Sequence, residues 1–469
     1  MTKHLIDKPI ENISHLIKTK QISPVELTIE VLNHVESTNQ QINAYITIIR
    51  YSALKSAKKA ENEILNNHYK GAYHGIPIAI KDNIYIKNEY TTMGSKIHER
   101  FIPKYNAEVV EKLQDAGAII IGKLNMHEYA WGITNNNPHY GPSRNPWNRE
   151  KITGGSSGGS GAAIAANMAF ATLGTDTGGS VRIPASACGV VGLKPSYRRV
   201  SNAGSFPLAP TLDHIGPMGK TVNDVANLLK LIEVNNNYFK EKYSVKLVDD
   251  FNLKNLVIGI HEGFFYSNVD KGIVKHIKKN IKIYEDYGAK VKKVDIPSIN
   301  EVRWAQSVIL QSEFANVHRN NRINRLSDYG EDIQEQFKLK LPSVIDYIEA
   351  LDIRKKLQEE TKYLFEDIDV LISPTLSIMP PKIGDRITRI EGREVDIFTS
   401  ILRLTGFANL TGLPAISLPC GIQENMPVGI QIIGPYYEDE FILRVASFLE
   451  KHNNLLNTDL SSLKKTKLR

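Results

Sequence analysis

Short apolar runs alternate with helical stretches along most of this chain, and that alternation restricts it to an α/β architecture. GIPIAIKDNI (75–84) is apolar and then polar, as suits a buried strand running out to a surface. Helical spacing in AEVVEKLQDAG (107–117) leads into a second such run, AIIIGKL (118–124). The pattern predicts a helix over 222–233, a strand over 256–260, a helix over 271–286, a strand over 290–296, a helix over 343–366 and a strand over 369–375. Further apolar segments follow at 413–421 and 428–434. Strands without a polar face need helices on both sides of their sheet. The first 70 residues read as helices: Ser23-Pro24-Val25-Glu26 offers an N-cap, a first-turn proline and a capping-box glutamate, followed by Ile29, Leu32 and Val35 near helical spacing.

Of the 469 residues, 42% are hydrophobic, too large a share for a disordered chain. The two cysteines, Cys188 and Cys420, exclude a disulfide scaffold and a multi-cysteine metal site, and they suit a reducing compartment. Apolar surroundings make Cys188 a core thiol. No apolar run has signal-peptide length at the N-terminus or reaches the roughly 18 residues that span a bilayer. A cytoplasmic protein with no membrane span is therefore expected. The net charge is +7, with Lys464, Lys465, Lys467 and Arg469 among its positives. This basic tail (459–469) reads as a solvated terminus, and no nucleic-acid partner is expected.

The least ordinary segment is Thr153 to Gly161, TGGSSGGSG, followed by the small residues Ala162, Ala163 and Ile164. Glycines permit positive φ and close backbone approach, so the run makes a tight, hydroxyl-bearing surface ahead of a helix. A flexible linker would not sit directly between strand and helix elements. A phosphate cradle would need a Walker lysine that this loop lacks, and in GPMGKT (216–221) His214 stands where the first Walker glycine belongs. A second loop, LGTDTGGSVRIP (173–184), places Gly178 and Gly179 before Ser180. Unshielded N–H groups of that kind can hold an oxyanion, and the serine after them is placed as a nucleophile. It is not a GxSxG elbow. Of the possible bases, His127 and His139 stand in no evident relation to these loops, and HEYAW is no zinc helix because Trp131 replaces the second histidine. Lys81, following Ile76 to Ile80, is the stronger candidate. Desolvation lowers a lysine pKa, and bringing it from about 10.4 to near 7 takes about 4–5 kcal/mol.

Together the three segments resemble the amidase signature family. Its lysine lies in a G-[IV]-P-x-x-[IV]-K-D segment, here Gly75 to Asp82; its bridging serine in GGSSGGS, here Gly154 to Ser160; its nucleophile in G-[ST]-D-x-G-G-S-[IV]-R-x-P, here Gly174 to Pro184. The likeness continues through CGVVGLKPS (188–196), LDHIGPMGKT (212–221), LTGLPAISLPCG (410–421) and VGIQIIG (428–434). The resemblance implies a three-layer α/β/α sandwich around a large mixed sheet, formed as one amidase domain over 1–469. Within it, 1–70 would be a helical wrap and 71–200 the catalytic core. It implies Lys81 as base, Ser156 as bridging serine after a cis peptide, and Ser180 as nucleophile, with an oxyanion hole from the backbone of Thr177, Gly178, Gly179 and Ser180. Asp176 and Arg182 would hold the nucleophile loop, and Asp82 and Asn125 would orient the site; Ser157 is the bridge's neighbour and not the bridge. The family's chemistry needs no metal and no cofactor.

The implied reaction is hydrolysis of a small-molecule carboxamide to a carboxylate plus ammonia or amine. Two classes of the family matter: free-standing amidases, and the glutaminase component of the glutamyl-tRNA(Gln)/aspartyl-tRNA(Asn) amidotransferase, which releases ammonia from glutamine. NMHEYAWG followed by NNNPHYGPSRNPW (135–147) looks more like the free-standing class, whereas the amidotransferase component usually carries an acidic residue at the place of His127. A catalytically silent binding protein on the same fold is the third reading. Trp131, Tyr129, Phe206 and Trp304 are candidates for an apolar acyl pocket, and the reading leaves a homodimer open.

Overall fold

The computed structural model describes residues 5–234 and 253–453. The basic tail at 459–469 lies outside the described residues. An eleven-stranded mixed sheet forms the middle layer. Its order is Tyr45–Ile48, Ile119–Leu124, Pro77–Lys81, Ala171–Thr175, Ile215–Gly219, Val191–Lys194, Ala415–Gln423, Met426–Ile433, Val370–Pro374, Val257–Ile260 and Lys290–Lys293. Helices cover the sheet, and one apolar cluster runs from Ile6 to Leu449. The architecture is the expected α/β sandwich. Among the described residues, no helix is long and apolar enough to cross a membrane.

Two strongly apolar strands are wholly buried inside one end of the sheet: Pro77–Lys81 and Ile119–Leu124 run parallel, as do Pro77–Lys81 and Ala171–Thr175. The helix Pro24–Ile42 begins as its sequence suggests, with Ser23 accepting from the N–H groups of Val25 and Glu26. The N-terminal segment is not purely helical, however. Tyr45–Ile48 is an edge strand antiparallel to Ile119–Leu124, inserted between the helices Pro24–Ile42 and Arg50–Leu65. Four residues between two helices carry too little periodicity to reveal a strand. The strand expected over 290–296 shortens to Lys290–Lys293, a largely exposed edge whose lysines leave one outer row to solvent.

Parallel neighbours place their C-terminal ends side by side, and such ends are where open α/β sheets bind ligands. Here Pro77–Lys81 ends on Lys81 and Ala171–Thr175 ends just before Asp176.

Candidate active site

Lys81 is fully buried, and its Nζ lies 2.7 Å from Ser156 Oγ and 2.7 Å from Thr175 Oγ1. Burial pushes its ammonium down to about 7, against the pull of Asp176 and Asp213. Ser156 follows a cis peptide bond from Gly155. The helix Gly158–Ala165 starts directly after this loop and packs without side chains in the way: a Cβ on Gly159 would collide with the carbonyl oxygens of Asn125 and Ala44.

The two loops are tied to each other. The Ser157 N–H donates to the Ser180 carbonyl (3.2 Å), and Ser157 Oγ donates to the Thr175 carbonyl (3.1 Å). Ser157 is thus a structural link, while its neighbour faces the lysine. Ser180 stands just before the helix Arg182–Cys188 and is 6% exposed.

Asp176 and Arg182 form a buried ion pair at 2.9 Å. Burial alone would raise the Asp176 carboxyl; the charge and hydrogen bonds of Arg182, joined by Asn409, hold it well below the usual carboxylate range. Arg182 also donates to the Thr405 carbonyl, Asn409 Oδ1 and Gln431 Oε1, at 2.7–2.9 Å. Asp176 Oδ1 accepts the Gly179 N–H at 2.8 Å and Oδ2 that of Val181 at 3.1 Å. This narrows one expectation: the Gly179 amide is committed inside the loop. Replacing Arg182 by methionine strands a buried carboxylate, and we expect a loss of about 3–5 kcal/mol in stability. Urea unfolding of the variant measures it; a loss under about 1 kcal/mol would mean that the loop is held by other contacts.

Asp82 and Asn125 lie beside the site and not in the Lys81–Ser156 contact. Asp82 Oδ2 accepts from the Thr92 N–H (2.9 Å) and hydroxyl (2.5 Å), and Oδ1 is 3.8 Å from Lys123 Nζ. Asn125 donates to the carbonyls of Asn43 and Gly141, both at 3.0 Å. Neither candidate histidine reaches Lys81: His127 pairs with Asp332 (2.7 Å) and His139 with Glu128 (2.8 Å). Two residues escaped the sequence reading. Thr175 sits inside the nucleophile motif next to Asp176, where adjacency was the available signal; it also accepts from Asn83 Nδ2 at 3.3 Å. Asn409 lies more than 200 residues downstream and has no local signature.

A cavity of about 650 Å³ lies behind residues that pack on the two loops, and none of Lys81, Ser156 and Ser180 lines it. Its lining includes Gln306 and Leu402, which pack on Gly178, and Ile133 and Thr134, which pack on Gly155. Of the expected acyl-pocket aromatics only Trp131 lines it. Phe206 lines a second cavity, of about 220 Å³, that reaches Asn83, Thr175 and Thr177. Tyr129 is core, its hydroxyl 2.6 Å from His98 Nδ1, and Trp304 is 41% exposed outside both cavities. The larger lining carries many charged groups, so it is not the apolar pocket expected.

The amidase family matches residues 26–443. A glutamyl-tRNA(Gln) amidotransferase chain of Clostridium acetobutylicum, the second of its A type, is 36% identical over 95% of this chain and 99% of its own length. The A chain of the glutamyl-tRNA(Gln) amidotransferase of Thermoanaerobacter pseudethanolicus is 36% identical over 95% and 96%. Among solved structures, a crystal structure of an amidase superposes with a TM-score of 0.87 at 30% identity, covering 95% of this chain and all of that one. The corresponding amidotransferase chain from Thermotoga maritima does so with 0.77 at 31%, covering 96% and 95%. With its signature loops folded together and relatives matched along nearly its whole length, the chain belongs to the amidase family, whose members are hydrolases of carbon–nitrogen amide bonds.

Proposed function

We propose that this chain hydrolyses a small carboxamide through an acyl-enzyme on Ser180, with Ser156 and Lys81 relaying the proton. The observation that carries the reading is the dry 2.7 Å contact between Lys81 Nζ and Ser156 Oγ. A lysine with a pKa of about 7 is substantially neutral at physiological pH and can accept a proton. Ser180 Oγ attacks the amide carbon, its proton passes to Ser156, and the Ser156 proton passes to Lys81. The oxyanion is received by the N–H groups of Thr177, Gly178 and Ser180, the loop amides not committed to Asp176. When the C–N bond breaks, the same relay returns the proton to the departing nitrogen. Water then attacks the ester by the reverse path, releasing carboxylate and restoring Ser180.

Two observations bear on whether the enzyme acts alone. Closer superposition on the amidase than on the amidotransferase chain, 0.87 against 0.77, supports an amidase over the amidotransferase reading. So does His127, paired with Asp332 where the amidotransferase chains usually carry an acidic residue. The curated relatives at 34–36% identity are glutamyl-tRNA(Gln) amidotransferase chains, which supports the second reading, ammonia release from glutamine within a complex. We favour the free-standing enzyme. The purified chain should release ammonia or amine from simple amides without ATP, tRNA or another protein. Activity confined to glutamine and dependent on partner chains would favour the amidotransferase reading. Failure of a fluorophosphonate to label Ser180, with no turnover of any amide, would leave only a silent binding protein.

A further inference from the structure

A trans peptide unit points its carbonyl and its N–H in opposite directions, so whatever holds the one aims the other. Three units of the nucleophile loop are held in this way. The Asp176 carbonyl accepts from the His214 N–H (3.1 Å) and from Asn409 Nδ2 (3.0 Å), which turns the Thr177 N–H to the other side. The Gly179 carbonyl accepts from the Ile183 N–H (2.7 Å), which does the same for the Ser180 N–H. In the Gly178–Gly179 unit both ends are engaged. The Gly179 N–H donates to Asp176 Oδ1 at 2.8 Å, and the Gly178 carbonyl accepts from Thr405 Oγ1 at 2.5 Å.

That unit is the one with least resistance to turning over, because neither of its residues carries a Cβ. Gly179 has φ +132°, and a Cβ there would collide with the Thr405 hydroxyl, so the backbone passes directly against this side chain. Thr405 is fully buried at the start of the helix Gly406–Thr411. Its hydroxyl has one proton to give. The Leu402 carbonyl lies 3.3 Å away, and the Gly178 carbonyl is the nearer acceptor. Two other contacts hold this region without that hydroxyl. The Thr405 carbonyl accepts from Arg182 Nη1 at 2.9 Å. Thr177 Oγ1 donates to Asp213 Oδ1 at 2.6 Å, and the Asp213 carboxylate accepts the N–H groups of Leu208 (2.9 Å) and Ala209 (3.2 Å). Removing the hydroxyl therefore frees one peptide unit and leaves the rest of the loop tied.

We propose that Thr405 is a positioning residue for amide hydrolysis: its hydroxyl holds the Gly178–Gly179 peptide in the orientation that leaves the flanking N–H groups of Gly178 and Ser180 turned toward the oxyanion. The proposal rests on acyl transfer at Ser180 and adds to it a residue that acts through the loop. Thr405 lies 227 residues after the carbonyl it holds, in a different element of the fold.

The test measures how fast a fluorophosphonate labels Ser180, because charge on the phosphonyl oxygen develops where an amide oxyanion would and draws on the same donors. Thr405→Val keeps the side chain's shape and removes the hydroxyl; it should be labelled about 20-fold more slowly, with little change in melting temperature. Thr405→Ala repeats the measurement without a methyl group against the Gly178 carbonyl. Thr405→Ser should recover most of the rate. With propionamide and benzamide as substrates, kcat should fall by a similar factor while KM stays within about twofold, the split expected of an interaction made only in the transition state. Native labelling rates in Thr405→Val and Thr405→Ala, or a Thr405→Ser protein as slow as they are, overturn the proposal and leave hydrolysis at Ser180 standing. If the native protein is neither labelled nor active, the hydrolytic reading fails, and deuterium exchange over residues 176–182 decides. Exchange about tenfold faster in Thr405→Val and restored in Thr405→Ser upholds the hold on the loop; equal exchange overturns it.

Discussion

Ser180→Ala should lower kcat by about 10⁴-fold or more, with the fold intact. Removing the nucleophile of an acyl-transfer site leaves only the contribution of oxyanion donors and substrate binding, and comparable single deletions cost that much. The change is one oxygen atom in a loop whose backbone is fixed by Asp176 and Ser157, so the melting temperature should move by no more than a few degrees. The control is Ser157→Ala. Ser157 also accepts the Thr175 N–H, at 3.2 Å, so its loss loosens the junction of the two loops without removing a reacting atom. A Ser180→Ala protein within tenfold of the native rate would remove Ser180 from the mechanism.

The second large effect is at Lys81. Its protonated form has no lone pair to accept a proton, so kcat/KM should rise about tenfold per pH unit below 7 and level off above it. Lys81→Met should lower kcat by roughly 10³-fold or more and erase that limb. Stability should move the other way. The folded pKa lies below the unfolded value near 10.4, so charging favours the unfolded chain; the cost is fully present below about pH 7 and disappears as pH rises past about 10. At pH 6, therefore, the methionine variant should be at least as stable as the native protein. A pH profile unchanged by the substitution, or a variant that unfolds more readily at pH 6, would show that this amine is neither dry nor the base. Lys194, also buried and pushed to about 7 by burial and by Arg182, makes the variant's profile the deciding measurement.

Much of this was legible in the residues. Pro77–Lys81 and Ile119–Leu124 are buried on both faces, and a strand so placed is written as an uninterrupted apolar run. The glycine loops were equally visible, because positions that admit no Cβ, such as Gly159, leave a compositional mark. Tyr45–Ile48 was hidden, since an edge strand of four residues is too short to show a period. Distance in sequence hid the rest. Asn409 completes the Arg182 cluster and Gln306 the cavity wall, and nothing beside either residue in the chain signals those contacts. Trp304 misled because an aromatic ring fits a pocket or a surface equally well, and sequence alone does not say which.

The guanidinium of Arg182 reaches the backbone of Thr405 and the side chains of Asn409 and Gln431. A loop in the first half of the protein is therefore completed by the last quarter. During synthesis the reactive serine emerges long before the groups that shape its loop. A nascent polypeptide, or a fragment cut before residue 400, holds every atom of the reacting groups and still lacks the scaffold that aligns them. The alignment of the nucleophile proposed at Ser180 should therefore depend on residues made only after position 404.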